Sequence, residues 1–304
     1  MNAYPIALFV FKRPEHTERL LGSLLANPGL HEYPIYIFCD GARNADDTAS
    51  VEAVRLVVDC FEHPQKAVFK QATNLGLARS IMQGVTKLCD EYGHVIVLED
   101  DLVLAPQFLN FMRQGLDRYV DEPRVMQVSG HTFPVASFTQ NEPALLLPFV
   151  GSWGWATWKR AWQKFDADAP GWRTLLQDRQ LRHKFDLNGA YPYSNMLLRQ
   201  MRGDINSWAI RWNWAVFQAN GLVLYPSVSL VNNVGFDGSG THCSTSAQVN
   251  GGPLSYASQH QFPDLIETDF SRFDLVRASI IQSQGSLLRR TAKRFRHFFH
   301  RWVP

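Results

Sequence analysis

Over roughly the first hundred residues, unbroken apolar runs alternate with stretches whose apolar residues recur at helical spacing. The runs are Ile6-Ala7-Leu8-Phe9-Val10-Phe11, Pro34-Ile35-Tyr36-Ile37-Phe38-Cys39, Ala67-Val68-Phe69-Lys70 and Val95-Ile96-Val97-Leu98. They are short, rich in β-branched and aromatic residues and bounded by turn formers, the pattern of strands buried on both faces. Between them, His16 to Leu25, Ala49 to Phe61 and Ala78 to Tyr92 read as helices. This alternation predicts an α/β fold, with a mostly parallel sheet covered by helices on both sides. Further along, Pro106 to Tyr119 reads as a helix, and Arg124 to Gly130 and Leu222 to Tyr225 as strands. Residues 166–202 read as helical in pieces, and Ser207 to Asn220 carries Trp208, Trp212 and Phe217 near helical spacing.

Each predicted strand hands a polar cluster to the same sheet edge. These are Phe11-Lys12-Arg13, Asp40-Gly41, Asn74-Leu75-Gly76 and Glu99-Asp100-Asp101. Open α/β sheets bind ligands at the carboxyl ends of their strands. Three successive carboxylates repel one another, and a hard divalent cation with oxygen ligands would neutralise them. The competing reading is a solvated acidic loop. No glycine-rich dinucleotide fingerprint and no Walker-type loop follows the first strand, which argues against hydride transfer and P-loop ATP hydrolysis.

Composition narrows the class. At 304 residues, 45% hydrophobic and 19% charged, the chain can build a sizeable core. A net charge of +2 disfavours a nucleic-acid partner. The cysteines Cys39, Cys60, Cys89 and Cys243 show no metal-type spacing, and a reducing cytoplasm suits them. The N-terminus reads as no signal peptide, and no apolar run reaches transmembrane length.

Three later stretches invite a functional reading. Gly151-Ser152-Trp153-Gly154-Trp155 sets glycines beside large aromatics, either as a platform for a sugar ring or as plain core. Residues 235–242 are polar and glycine-rich, either a mobile lid or an ordinary surface loop. In Leu287 to Trp302, Arg289, Arg290, Lys293, Arg294, Arg296 and Arg301 accompany an apolar stripe, and no acidic residue occurs. That pattern fits a helix lying on an anionic membrane, a core-docked helix or a disordered basic tail.

Taken in order, Phe-x-Arg after strand one, Asp-Gly after strand two, Asn-x-Gly-Leu and Leu-Glu-Asp-Asp resemble the GT-A glycosyltransferases. The likeness is to the N-acetylglucosaminyltransferase I type, whose metal motif is Glu-Asp-Asp. The Gly151–Trp155 stretch and the Phe236–His242 loop match that group too, so the likeness covers roughly residues 6–243. The resemblance implies a GT-A, Rossmann-like fold and an inverting, metal-dependent transfer of sugar from a nucleotide sugar, with UDP favoured. It implies Mn²⁺ or Mg²⁺ on Asp101, the ribose against Asp100 and the donor sugar near Glu99. The base would face Asp40, and Phe11, Arg13, Asn74, Arg79, Ser239 and His242 would complete the donor site. Trp153, Gly154, Trp155 and Trp208 would meet the acceptor. The family's catalytic Asp precedes a Trp; here Asn206 aligns with it, leaving Asp204 as the candidate base and Asp237 behind it. Asp204 reads equally as a helix N-cap.

The chain is thus expected to carry a catalytic domain over 1–250, with a nucleotide-binding half (1–104) and an acceptor half (105–250). A polar connector (251–286) and a basic tail (287–304) follow. The expected partners are a nucleotide sugar, a glycan or lipid-linked acceptor and, through 287–302, the cytoplasmic face of a membrane. A sugar nucleotidyltransferase would need a glycine-rich basic loop where Phe11-Lys12-Arg13-Pro14 stands. A non-catalytic carbohydrate- or membrane-binding protein is the other alternative, and Asn206 is the residue that favours it.

Overall fold

The computed structural model describes residues 3–237 and 252–283, the side chain of Asp237 excepted. In chain order the elements are β1 (Ile6–Val10), α1 (Pro14–Leu25), β2 (Ile35–Cys39), α2 (Ala45–Cys60), β3 (Lys66–Lys70), α3 (Leu77–Tyr92), β4 (His94–Glu99) and β5 (Leu102–Leu104). Then come α4 (Phe108–Arg118), β6 (Val125–Ser129), β7 (Leu145–Leu147), β8 (Trp155–Trp158), α5 (Lys159–Trp162) and α6 (Thr174–Gln177). The series ends with α7 (Arg179–Phe185), α8 (Tyr193–Met201), α9 (Trp208–Gln218), β9 (Leu222–Tyr225), β10 (Val231–Asn233) and a helix over 270–283, here α10. Among the described residues no helix is long and apolar enough to cross a membrane.

The main sheet has eight strands in the order β3-β2-β1-β4-β8-β6-β9-β7. β1 to β4 pair in parallel. β8 runs antiparallel to both β4 and β6, so β6 and its parallel neighbour β9 point the same way as the first four. β7 closes the far edge antiparallel to β9. The fold is therefore mixed α/β, with a mostly parallel sheet flanked by helices, as the alternating pattern predicts. After β1 the chain moves outward through β2 and β3, then returns to the other side of β1 with β4. The crevice between β1 and β4 is thus the point where strand order reverses, the place where such sheets bind ligands.

Strand alternation sorts the core into two layers. Ile6, Leu8 and Val10 of β1, with Ile96 and Leu98 of β4, pack against α1, α2 and α4. Ala7 and Phe9, with Val95 and Val97, face α3 and α9. Residues 169–217 enclose a third, smaller core around Phe185, Leu197, Ile210 and Trp214.

Two expectations change. Trp155-Ala156-Thr157-Trp158 forms a central strand with every residue buried, inserted between β4 and β6. The glycines before it mark the turn, and the aromatics fill the layers. Residues 252–283, expected as a polar connector, pack onto the domain. Phe262 stacks on Phe111 at 5.5 Å, the Ala144 amide donates to Gln261 O at 2.8 Å, and α10 buries Phe273, Val276 and Ile280 in the α3–α9 layer. Residues 238–251 and the 287–302 tail lie outside the described residues.

If α10 is part of the domain, truncating Phe273, 5% exposed, removes a core side chain. Phe273→Ala should cost about 3–5 kcal/mol of unfolding free energy. Urea denaturation measures it, and a loss below about 1 kcal/mol would mean that α10 is only draped on the surface.

Candidate active site

The site grows from the ends of four parallel strands. Beyond β2, Asp40 is buried and engaged with the neighbouring loop rather than with open space. Its Oδ1 accepts from the amides of Gly41 (2.9 Å) and Leu75 (2.8 Å), and its Oδ2 from the Gly76 amide (2.9 Å) and Asn74 Nδ2 (3.0 Å). Asn74 Nδ2 also donates to Gly41 O at 2.9 Å. The two loops approach so closely that a Cβ at Gly41 would lie 2.5 Å from the Thr73 carbonyl carbon. Asp40, expected to face a base, and Asn74, expected in the donor site, thus staple two loops together, and the Asp40 carboxylate has little acceptor capacity left. Beside it lies a recess of about 190 Å³ edged by Phe38, Phe69 and Ser80, where the Ser80 hydroxyl is buried without a partner. Arg79, on the first turn of α3, is exposed.

Across the β1–β4 crevice the charges meet. Arg13 Nη2 donates to Asp100 Oδ1 in a very short contact and to Asp101 Oδ2 at 3.1 Å, while the Phe11 amide donates to Asp100 Oδ2 at 3.4 Å. Arg13 Nη1 is buried with no hydrogen-bond partner among the described residues. Burial pulls Arg13 down, but the two aspartates outweigh it and hold it above its usual range. Asp100 is pushed up by burial, with Arg13 opposing. Glu99 is raised well above the usual carboxylate range, first by burial, then by the charges of Asp101 and Asp100. Among the described residues, one guanidinium thus faces three crowded carboxylates.

β10 closes this crevice from the other half of the chain. It pairs antiparallel with β5, Asn233 opposite Leu102, and the Val234 amide donates to Asp101 O at 2.8 Å. Gly235 follows, its amide on Asn233 Oδ1 at 2.8 Å. A Cβ there would lie 2.6 Å from Asp101 Oδ2 and 2.9 Å from Arg13 Nη1, so only glycine lets the backbone pass. Phe236 then reaches Trp153, ring centroids 5.6 Å apart, and Trp153 meets His131 at 4.3 Å. His131, just past β6, is buried and pushed down to about 3 by that burial. Neither His131 nor the pairing of Trp153 with Phe236 is visible in sequence spacing; both depend on loops from distant strands meeting.

The expected acceptor residues divide. Trp153 is partly exposed beside the crevice, and Gly154 makes the positive-φ turn (φ 59°) that directs its carbonyl to the Gly130 amide at 2.7 Å. Trp155 and Trp208 are core residues instead. They stack on each other at 4.9 Å, with 0% and 4% exposure, so neither ring offers a face to a sugar. Because Trp155 sits opposite Val97, this stack brings the start of α9 to the sheet edge that bears the triplet. Asp204 is exposed just before that helix. It is not the N-cap: Ser207 is, accepting from the Ile210 amide at 3.4 Å. Asp204 instead ends α8 in a Schellman motif, its amide on Arg199 O (2.9 Å) after Gly203 (φ 81°). Asn206 Oδ1 accepts from Arg211 Nη2 at 3.3 Å. The Asp237 side chain, Ser239 and His242 lie outside the described residues.

Among the described residues no three His, Cys, Asp or Glu side chains gather closely enough to hold a cation by themselves. The carboxylates still suit a hard cation, and the unpartnered Arg13 Nη1 suits an oxyanion. A cation together with a phosphate-bearing ligand fits the residues present; a cage made of protein ligands alone does not.

No family model and no curated protein matches the chain. Among solved structures it is similar to a mannosyltransferase, PcManGT from Pyrobaculum calidifontis in complex with GDP-Man and Mn²⁺ (14% identity, 57% of this chain and 45% of that one, TM-score 0.35). It is also similar to S. aureus TarS 1–349 in complex with UDP-GlcNAc (13% identity, 58% and 48%, TM-score 0.36). The chain spans less than half the length of either.

The crowded carboxylates predict a pH effect. Glu99 binds its proton more tightly folded than unfolded, so its contribution to stability is present below the ordinary carboxylate range and is lost as pH rises through the raised folded value. Glu99→Gln, neutral at every pH, should therefore raise the melting temperature of the ligand-free protein at pH 7 and flatten its decline from pH 4.5 to 7. A lower melting temperature at pH 7 would show the ionised Glu99 to be stabilising.

Proposed function

We propose that the chain is a glycosyltransferase acting on a nucleotide sugar. The observation that carries this reading is the β1–β4 crevice, where Arg13, Glu99, Asp100 and Asp101 converge with one guanidinium donor free. A nucleoside diphosphate bound with a cation matches that pattern of excess carboxylate and unpaired donor. Arg13 Nη1 would donate to a phosphate oxygen, and Phe11 and the recess beside Asp40 would receive the nucleoside. Asp101 would hold Mn²⁺ or Mg²⁺, the phosphates supplying the remaining oxygens. When bound, the cation offsets the charge gathering on the departing nucleoside diphosphate.

In an inverting reaction the acceptor hydroxyl attacks the anomeric carbon from the face opposite the diphosphate, and one carboxylate takes its proton. Asp204 is the candidate base, exposed in the turn before α9, with Asp237 the alternative. Trp153 and Phe236, in contact with each other just beyond Gly235, would offer aromatic surface to a sugar ring beside Asp101. The reading extends to a glycan or lipid-linked acceptor at the cytoplasmic face of a membrane, supported by the basic 287–302 sequence.

Titration calorimetry of UDP with and without Mn²⁺ tests the donor site. Asp101→Asn keeps the side chain's shape and removes its charge, so Mn²⁺-dependent binding should fall by at least tenfold, about 1.4 kcal/mol. Native affinity in that variant would refute the metal assignment. Asp204→Asn should leave donor binding intact and lower turnover by about 10²–10⁴-fold, the usual worth of a general base. Unchanged turnover would pass the role to Asp237.

A further inference from the structure

The outer end of the segment between β8 and β9 carries a cluster of charge that the transferase reading does not use. α7 turns Phe185 into the small third core and leaves Arg179, His183 and Lys184 exposed, with Arg182 partly covered. These side chains line an open cleft of about 480 Å³. The carboxylate in its lining, Asp186, is already engaged: its two oxygens accept from the amide and hydroxyl of Ser194, both at 2.7 Å. Against Arg179, Arg182 and Lys184 the lining sets this one carboxylate, so the cleft is net positive.

Its rim is backbone of an uncommon kind. Leu187, Asn188 and Gly189 follow one another at φ 52°, 54° and 85°. Outside glycine, left-handed residues cost energy and persist only where their surroundings hold them. Here the Asn188 amide donates to His183 O at 2.8 Å, and α10 supplies the other clamp. Arg277 Nε donates to Leu187 O at 2.8 Å, and its Nη2 to Asn188 O at 3.3 Å. The last described helix is thus fastened to the rim of the cationic cleft.

That side of α10 is mixed: Asp274, its side chain 66% exposed, lies on it and accepts from Arg277 Nη1 at 2.6 Å, with apolar residues around the pair. Phe270 and Ile281 lie seven residues before and four after Arg277, on the same helical face, and they are 73% and 52% exposed. Leu176 of α6, which packs against α7, is 52% exposed. Cations alone would suit any soluble anion. Cations beside unburied Phe, Ile and Leu suit a surface that is anionic outside and hydrocarbon within. The sequence that continues from α10 adds Arg289, Arg290, Lys293, Arg294, Arg296 and Arg301 without an acidic residue, matching the same sign of charge.

We propose that the α7 cleft and the Arg277 side of α10 form one docking face for an anionic phospholipid bilayer. Arg179, Arg182 and Lys184 meet the headgroup phosphates, and Phe270, Ile281 and Leu176 enter the boundary with the acyl chains. This holds whether or not the crevice is a transferase site, and it assigns membrane contact to folded elements as well as to the tail.

The test is flotation of the full-length chain with phosphatidylglycerol-containing vesicles and with pure phosphatidylcholine vesicles. Near an anionic surface each cation multiplies partitioning by about fivefold, so Arg179→Gln with Lys184→Gln should weaken binding to the anionic vesicles on the order of 25-fold. The matched pair Arg19→Gln and Lys87→Gln, which removes equal charge from α1 and α3, should partition as the native chain does. Phe270→Ser with Ile281→Ser should weaken binding without changing its salt dependence. Equal partitioning of the cleft variant and the matched pair would overturn the proposal. So would unchanged vesicle binding combined with lost binding of inositol hexakisphosphate, which would make the cleft a site for a soluble anion.

Discussion

Arg13 reaches across the crevice between β1 and β4 to Asp100 and Asp101, joining two strand ends that carry more negative charge than one guanidinium can balance. The rest of the site follows from this contact. Burial strengthens the attraction and also raises the cost of each unpaired carboxylate. Asp100 and Glu99 are accordingly held above the usual range, and Arg13 retains a donor that none of the described residues satisfies. A structure left in that condition is improved by a ligand of mixed charge.

The surrounding architecture keeps this arrangement in register. On one side, the Asp40 carboxylate ties the loop after β2 to the loop before α3 with three hydrogen bonds, from Asn74, Leu75 and Gly76, so that rim is held in place. On the other, the Trp155–Trp208 stack fixes the start of α9 against the sheet. Both rims of the crevice are thus tied down by contacts within the chain.

Sequence periodicity revealed the four parallel strands and the helices between them, because strands buried on both faces are continuous apolar runs. It also located the edge where Arg13, Asp40, Asn74 and the acidic triplet gather. β8 was hidden because Trp155 and Trp158 stand beside glycines, and a short strand buried on both faces shows no alternation to set it apart from a turn. α10 was hidden because Phe273, Val276 and Ile280 stand among further apolar residues, Leu275, Ala278 and Ile281, which blur the buried face, and the preceding stretch is loop-like. Asp204 and Ser207 both have N-cap chemistry, and only the backbone shows which one caps α9. His131 carries no local signal; its neighbours come from β6, the Gly151–Trp155 turn and the end of β10.

The pairing of β10 with β5 has a consequence for how the chain acquires its site. Asp101 and Arg13 emerge early in synthesis, yet the backbone that covers them, Val234 and Gly235, follows more than a hundred residues later. β4 likewise presents an open edge until β8 arrives to pair with it. The first hundred or so residues therefore cannot close as a finished unit on the ribosome. They must wait as a partly paired sheet with an exposed edge and crowded carboxylates, the kind of intermediate that chaperones protect. Completion of the crevice and completion of the fold are then one late event, so a truncated chain lacking β8 and β10 would lose its solubility together with its site.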